Sequence, residues 1–357
     1  MAESTSDRKA GTLADRLRQS RLLLTGRFGS VALATLGLLF LALVLAKAWP
    51  QGPSFFIQIL IYGIANGSIY ALVALGYTMV YGIIELINFA HGDIFTLGAV
   101  VAMPLLAFFG VAEGKTLGGL GLLALLITFP IAMLVIGSLN MAIERVAYRP
   151  LRTAPRLAPL ITAVGMSFTL EGLMILLIGD STVHFPDVLP SASLPIGAHA
   201  SVAVKDVAVV VIAGVLVVLL TAFVSLTKLG KAMRATAQDR DAAHLMGINI
   251  NRTIAATFFI GGALGGGGGI IFGLYFNNIN FQLGFSMGLF AFTAAVLGGI
   301  GNIQGAALGG LLIGLIRAFS DAFLFGSQWT DVLIFSLLVL VLLFRPTGLL
   351  GMQVPEK

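Results

Sequence analysis

The sequence predicts an all-α polytopic membrane protein with about 8–10 transmembrane helices, some of them broken or re-entrant. Three observations carry this. Hydrophobic residues make up 58% of the chain and charged residues 10%, with a mean hydropathy of +1.00. A soluble domain carries about 25% charged residues to cover its surface. Apolar runs recur that are long enough for a hydrocarbon core about 30 Å thick. Basic residues gather in alternate connections between those runs, as cytoplasmic loops require. Cysteine is absent, which excludes disulfides, thiolate chemistry and cysteine-ligated metal. The net charge of +5 tracks the loops and does not point to nucleic acid.

Residues 1–27 form a basic tail with Arg8, Lys9, Arg16, Arg18, Arg21 and Arg27. The apolar run 28–48 is long, and no small-residue cleavage site precedes Trp49-Pro50, so it reads as a retained additional helix with the N-terminus inside. Span two, about 55–83, carries Asn66, Gly67, Ser68, Tyr70, Gly76, Tyr77 and Thr78, an unusual density of polar and small residues for a lipid-facing helix. The stretch from Glu85 through Asn88 and His91 to Asp93 interrupts the apolar pattern. Spans three and four come next, at about 94–111 and 119–142. The basic loop holding Glu144, Arg145, Arg149, Arg152 and Arg156 then faces the cytoplasm. Span five is about 158–178. The loop 180–206, with Asp180, Asp187 and Asp206 against Lys205, faces outside, and span six is about 207–226.

The polar stretch from Lys228 to Arg252 is the longest charged segment after the tail. Gly247 supplies a left-handed stop after Leu245 and Met246. Asp239 is placed to cap the helical residues after it, with Asp241 near the positive helix end. Ala242 and Ala243 offer little side chain, so a partner can approach closely. The segment reads as a helix over 229–247 offered to another protein, or equally as an ordinary basic loop that fixes orientation.

Span seven, about 253–276, carries Gly261, Gly265, Gly269 and Gly273 at a four-residue spacing, one small-residue face. It includes five consecutive glycines, each costing roughly 1 kcal/mol against alanine in a helix. A mid-membrane break or very close packing would account for them. Shorter spans lie at about 286–298, 303–320 and 331–344, with Gly301, Gly305 and Gly309 repeating the spacing. Residues 286–305 either cross twice or dip in as a re-entrant pair; parity favours crossing. With six basic residues in the tail, four in the 144–156 loop, five between 228 and 252 and two at the C-terminus, 17 of the 21 lysines and arginines fall inside.

Catalytic signals are weak. Gly110 to Thr116 is one residue short of a P-loop and lies outside. Gly284-Phe-Ser286-Met-Gly288 fits GxSxG without a strand before it. His91, His184, His199 and His244 have no metal-ligand spacing. No catalytic residue, metal ligand or cofactor is expected. Asn66, Tyr77, Asn88, His91 and Asp93 are the candidates for a translocation path, since polar groups in hydrocarbon are costly and mark such paths. The bland alternative places Glu85 to Asp93 at the cytoplasmic interface and lets Arg317 and Asp321 neutralise one another.

Four stretches, Tyr77 to Asp93, Glu144 to Pro150, Thr293 to Ala306 and Arg345 to Gly351, together resemble the branched-chain amino acid ABC importer permeases. The resemblance runs from about residue 55 to 351. It implies a type II ABC importer-like permease domain over 49–351, after the 1–27 tail and the 28–48 helix and before a cytoplasmic 352–357 tail. It also implies a bacterial inner-membrane protein with both termini cytoplasmic. Its partners would be a second homologous permease, two cytoplasmic ABC ATPase subunits, a periplasmic binding protein and membrane lipid. Asp241-Ala242-Ala243-His-Leu-Met-Gly247 matches the acidic-Ala-Ala-x-x-x-Gly core that docks on the ATPase in such importers, with Gly230 and Arg234 just before it. Alternatives are a urea or short-amide permease of the same type, and an ATP-independent channel or secondary transporter.

Overall fold

The computed structural model describes residues 29, 31, 33–85, 88–111, 119–152, 154–155, 157–190, 192–196 and 200–351. The basic tail, Lys115, Arg156, His199 and 352–357 lie outside the described residues. Among the described residues, nine helices are long and apolar enough to cross a membrane. They are α1 (Leu33–Gln51), α2 (Pro53–Ile84), α3 (His91–Phe108), α4 (Gly119–Ile143, continued by a π-turn), α5 (Leu157–Ile178), α6 (Val204–Leu226), α9 (Ile250–Phe276), α11 (Ile303–Phe319, also continued by a π-turn) and α12 (Ser327–Phe344). Two short helices, α7 (Lys228–Gln238) and α8 (Arg240–Leu245), join α6 to α9. The expected single helix over 229–247 is therefore two helices. Asp239 is extended, at φ −153° and ψ 114°, and breaks them apart.

Helix α10 (Leu283–Gly298) has 16 residues, about 24 Å at 1.5 Å per residue, less than the hydrocarbon core. It starts beside the short strand β4 (Asn278–Ile279) and ends where Leu297 and Gly298 carbonyls accept from Leu349 and Leu350 N–H, 2.8 and 2.9 Å. Those two ends belong to opposite faces of the bundle, so α10 and α11 pass through in sequence rather than returning to one side.

Helix α9 is the centre, packed against α2, α3 and α4, and it runs unbroken through all five glycines. Close packing accounts for them. A β-carbon on Gly269 would lie 1.8 Å from the Phe95 carbonyl oxygen, and one on Gly98 would lie 2.2 Å from the Gly266 carbonyl oxygen. Backbone meets backbone where side chains would otherwise stand. Gly261 faces Gly76 and Val80, Gly265 faces His91, and Gly273 lies on the ring of Phe185. The second small-residue seam joins α2 to α11: a β-carbon on Gly310 would lie 2.3 Å from Ala71 Cα, and one on Gly314 2.2 Å from Gly67 Cα. Gly305 and Gly309 of α11 pack on Gly298 and Ala294 of α10. Gly301 does not belong to that face. It sits in the α10–α11 turn at φ +90°, where glycine is the residue that turns without strain, and its own β-carbon would meet nothing within 4 Å.

The two faces differ. On one, β1 (Val183–His184) pairs antiparallel with β4, and β2 (Ser193–Ile196) with β3 (Ala200–Ala203), small pairings within stretches that the sequence predicts as loop. Asn277, left-handed at φ +57°, ends α9 there. Its side chain donates to the Phe185 carbonyl at 3.2 Å and accepts from Lys205 Nζ at 2.7 Å, while Lys205 also donates to Asp187 at 2.9 Å. The hydrogen bond from Lys205 holds the Asp187 carboxyl below its ordinary pKa. On the other face lie α7, α8, the 144–152 turn and Arg345. Helix α1 touches the bundle mainly through Val44 and Ala48, which pack on Phe319 at the end of α11 and Phe323 of its extension.

A glycine-cradled polar cluster and a projecting tip

Helix α3 opens with His91, Gly92 and Asp93, directly after a turn closed by His91 N–H donating to the Asn88 carbonyl at 3.0 Å. His91 and Asp93 are fully buried. The Tyr77 ring from α2 meets the imidazole edge-on, centroids 4.7 Å apart. Ser167 of α5 donates to Asp93 Oδ2 at 2.5 Å. Among the described residues, Asp93 Oδ1 and the ring nitrogens of His91 have no hydrogen-bond partner of good geometry, although backbone groups of Val73 and of Asp93 itself lie near them. A buried polar atom left unpaired costs about 1–3 kcal/mol, so a group of them calls for a functional account.

Glycines make the room. A β-carbon on Gly76 would lie 2.2 Å from His91 Nε2, one on Gly284 2.6 Å from Asp93 Oδ1, and one on Gly288 3.0 Å from Tyr77 Oη. This is the work of the GxSxG pattern here: its two glycines admit polar side chains of other helices, and Ser286 is exposed. Because His91 also packs on Gly265, just past the middle of α9, the cluster is deep in the bundle. Glu85, the left-handed cap of α2, is exposed, whereas His91 and Asp93 are buried.

The other two path candidates lie apart. Asn88 is buried and accepts from the Tyr148 hydroxyl at 2.7 Å, in a network nearer the α8 face. Asn66 donates to the Tyr62 carbonyl of its own helix at 3.1 Å and touches none of the cluster. Ten residues separate it from Gly76, about 15 Å along α2. Arg317 is held by Asp321 at 4.0 Å, Asp331 at 3.7 Å, the Tyr70 hydroxyl at 3.2 Å and the face of Phe290 at 4.4 Å, so its neutralisation takes more than one partner.

The α7–α8 segment builds a tip. Thr227 caps α7 by accepting from Gly230 N–H at 3.0 Å. Gly230 is buried against the end of α6, and Arg234 donates to the Val224 carbonyl there. Both residues therefore anchor α7 to α6. Asp239 caps α8, accepting from Asp241 and Ala242 N–H at 2.9 and 3.0 Å. Gly247, at φ +82°, closes it, with Ile248 N–H donating to the Ala243 carbonyl at 3.1 Å in a Schellman arrangement. Ala243 is buried, while Asp241 and Ala242 are exposed. Beyond them Leu245 and Met246 are 86% and 83% exposed. A groove of about 530 Å³ between the two helices is lined by Lys231, Ala235, Ala242 and Met246 among others.

The family model described as "Branched-chain amino acid transport system / permease component" matches residues 59–342. The chain belongs to that family. The high-affinity branched-chain amino acid transport system permease protein BraD of Pseudomonas aeruginosa is 44% identical over 309 residues, 85% of this chain and 98% of that protein. LivH of Escherichia coli K12, named in the same words, is 40% identical over 310 residues with the same coverage. The probable branched-chain amino acid transport permease protein LivM of Methanocaldococcus jannaschii is 28% identical over 144 residues, 37% of this chain and 41% of that one. No solved structure matches.

The chain is thus a multi-pass transport permease subunit and not an enzyme, and a permease component implies further components of its system. The permease brings together Tyr77, His91 and Asp93, and adds Ser167 to them. Ser167 carries no sequence signal that sets it apart from Thr162 and Thr169 in the same span. Tyr148 lies within the Glu144 to Pro150 stretch, but nothing in that stretch hints that it reaches Asn88.

Proposed function

We propose that this permease forms the translocation path of an ABC importer for branched-chain amino acids. It would pair with a second homologous permease, two cytoplasmic ATPase subunits and a periplasmic binding protein in a bacterial inner membrane. The observation that carries the reading is the tip: two large apolar residues, Leu245 and Met246, stand in solvent at the basic end of the molecule. Two adjacent large apolar residues exposed together at a helix end form a small patch that a partner would cover. The match of Asp241 to Gly247 with the docking core of such importers makes that partner the ATPase. The substrate class comes from the names of the relatives.

With the tip on the ATPase, the 144–152 and 228–252 segments lie in the cytoplasm, in keeping with 17 basic residues on that side. Both termini then lie inside, 28–48 is one further span, and the β-paired cap receives the binding protein. Tyr77, His91 and Asp93 line the path, and Asn88 lies toward its inner end. ATP binding would move α7 and α8, and the glycine-packed helices would shift to open the path to one side and then the other.

The test is uptake of labelled leucine, isoleucine, valine and urea in cells with and without the gene, alongside copurification with an ATPase. Leucine uptake that depends on the gene, with ATPase copurifying, supports the reading. Urea uptake alone moves the chain to the amide carriers. Transport without any ATPase overturns the importer reading.

A further inference from the structure

The inner end of α2 needs a donor for its open carbonyls. A helix leaves its last carbonyls unpaired and partly negative. In α2 the left-handed Glu85 returns its N–H to the Tyr81 carbonyl at 2.8 Å, and among the described residues no backbone N–H reaches the Ile83 carbonyl. Arg240 takes it. Its Nε and Nη2 both donate to the Ile83 carbonyl, at 3.2 and 2.5 Å. This is a charge-assisted, two-donor contact between residues 157 apart in sequence.

The place of Arg240 in the chain gives the contact its meaning. It is the first residue of α8, the helix whose far end carries Leu245 and Met246. Helix α2 in turn carries Gly76 and Tyr77 against His91. The nearby Arg234 makes a similar cap but on α6, the helix that leads into the tip, and so ties the tip only to its own root. A second arginine on this face, Arg152, pairs with Glu144 and donates to Asn251 at 2.7 Å, tying the α4 extension to the start of α9. Among these contacts, the Arg240 one joins the tip to the helix that shapes the polar cluster.

We propose that Arg240 is a positioning residue that makes α8 and the inner end of α2 move as one body, so that displacement of the tip is delivered to Tyr77 and His91. The proposal rests on the importer reading above. Covalent continuity from α8 into α9 moves α9; the Arg240 contact brings α2 along with it.

The experiment uses the assembled transporter in proteoliposomes with its binding protein. The chain has no cysteine, so Glu85→Cys and Ala237→Cys, both at exposed positions, accept spin labels at the end of α2 and beside the α7–α8 junction, outside the docking stretch. With Arg240 present, the distance between the labels stays the same in the nucleotide-free and ATP-bound states. With Arg240→Gln it broadens and changes with ATP, and substrate imported per ATP hydrolysed falls about tenfold, within the range of coupling through linked networks. Arg240→Lys keeps the charge but not the fixed fork of two donors, and restores part of the yield. Should the Gln variant fail to assemble, the Lys variant carries the same two readouts. A label distance that changes with ATP in the parent protein, or an Arg240→Gln variant with parental distances and yield, overturns the proposal while leaving the importer reading intact. Absence of ATPase from the purified parent complex overturns the importer reading instead.

Discussion

The imidazole of His91 occupies the space that a side chain on Gly76 would need: a β-carbon there would lie 2.2 Å from Nε2. Gly76→Ala therefore forces a buried ring to move against Tyr77 and Gly265. Overpacking of this kind costs about 1–3 kcal/mol. Unfolding in detergent should show the loss, and adding His91→Ala should recover part of it. Equal stability of the single and double variants would show that the two sites do not compete.

Asp93→Asn keeps the size and one acceptor for Ser167 but removes an ionisable group from this buried site. If Asp93 lines the path, uptake falls strongly while the amount of chain in the membrane does not. Parental uptake would remove Asp93 from the path and leave it a packing residue.

Two glycine substitutions should separate seam from surface. Gly269→Ala puts a methyl group 1.8 Å from the Phe95 carbonyl oxygen, backbone that cannot swing aside. Gly165→Ala on α5 meets nothing within 4 Å. The first should destabilise the protein by about 1–3 kcal/mol or more, the second by less than about 0.5 kcal/mol. Thermal unfolding of the two variants side by side checks this.

Leu245→Ser with Met246→Ser removes the exposed apolar pair without touching the Asp239 or Gly247 caps. The variant should fold as the parent does and lose ATPase copurification. Retained copurification would put the docking contact elsewhere on the inner face.

The β-paired cap should be acid-sensitive in a defined direction. Lys205 holds the Asp187 carboxyl below its ordinary value, with His184 Nε2 also near, at 3.8 Å. The folded state therefore favours the ionised form. Its contribution is fully present above the ordinary aspartate value of about 3.9 and is lost as pH falls through the lower folded value. Protease nicking of the 180–206 loop, tracked from pH 5 downward, should rise in the parent. In Asp187→Asn it should start higher and change less with pH.

Local features are the ones legible in the sequence. Apolar runs locate the helices, and Gly247 and Asp239 announce a stop and a cap because those jobs depend on one residue's own backbone and side chain. The glycine face of α9 is legible for the same reason. The direction in which each helix face points is not. Asn66 and Tyr77 look alike in an α2 pattern, yet one bonds its own helix and the other meets His91. Gly301 keeps the spacing of Gly305 and Gly309 but falls in a turn. Arg240 reads as one more loop charge, because nothing local says that its fork will reach a carbonyl 157 residues earlier.

The α2–α11 seam bears on how the chain is made. Tyr70 and Arg317 are 247 residues apart, so α2 leaves the ribosome long before the surface that covers Gly67 and Ala71 exists. During that interval a face built for backbone contact is dressed only by lipid or by an insertion factor. The packing of α11 sets the limit on how bulky that face of α2 can become, since a β-carbon on Gly67 would lie 2.8 Å from Leu311 Cα, and a nascent chain stalled before α11 leaves the face open to mispairing and degradation.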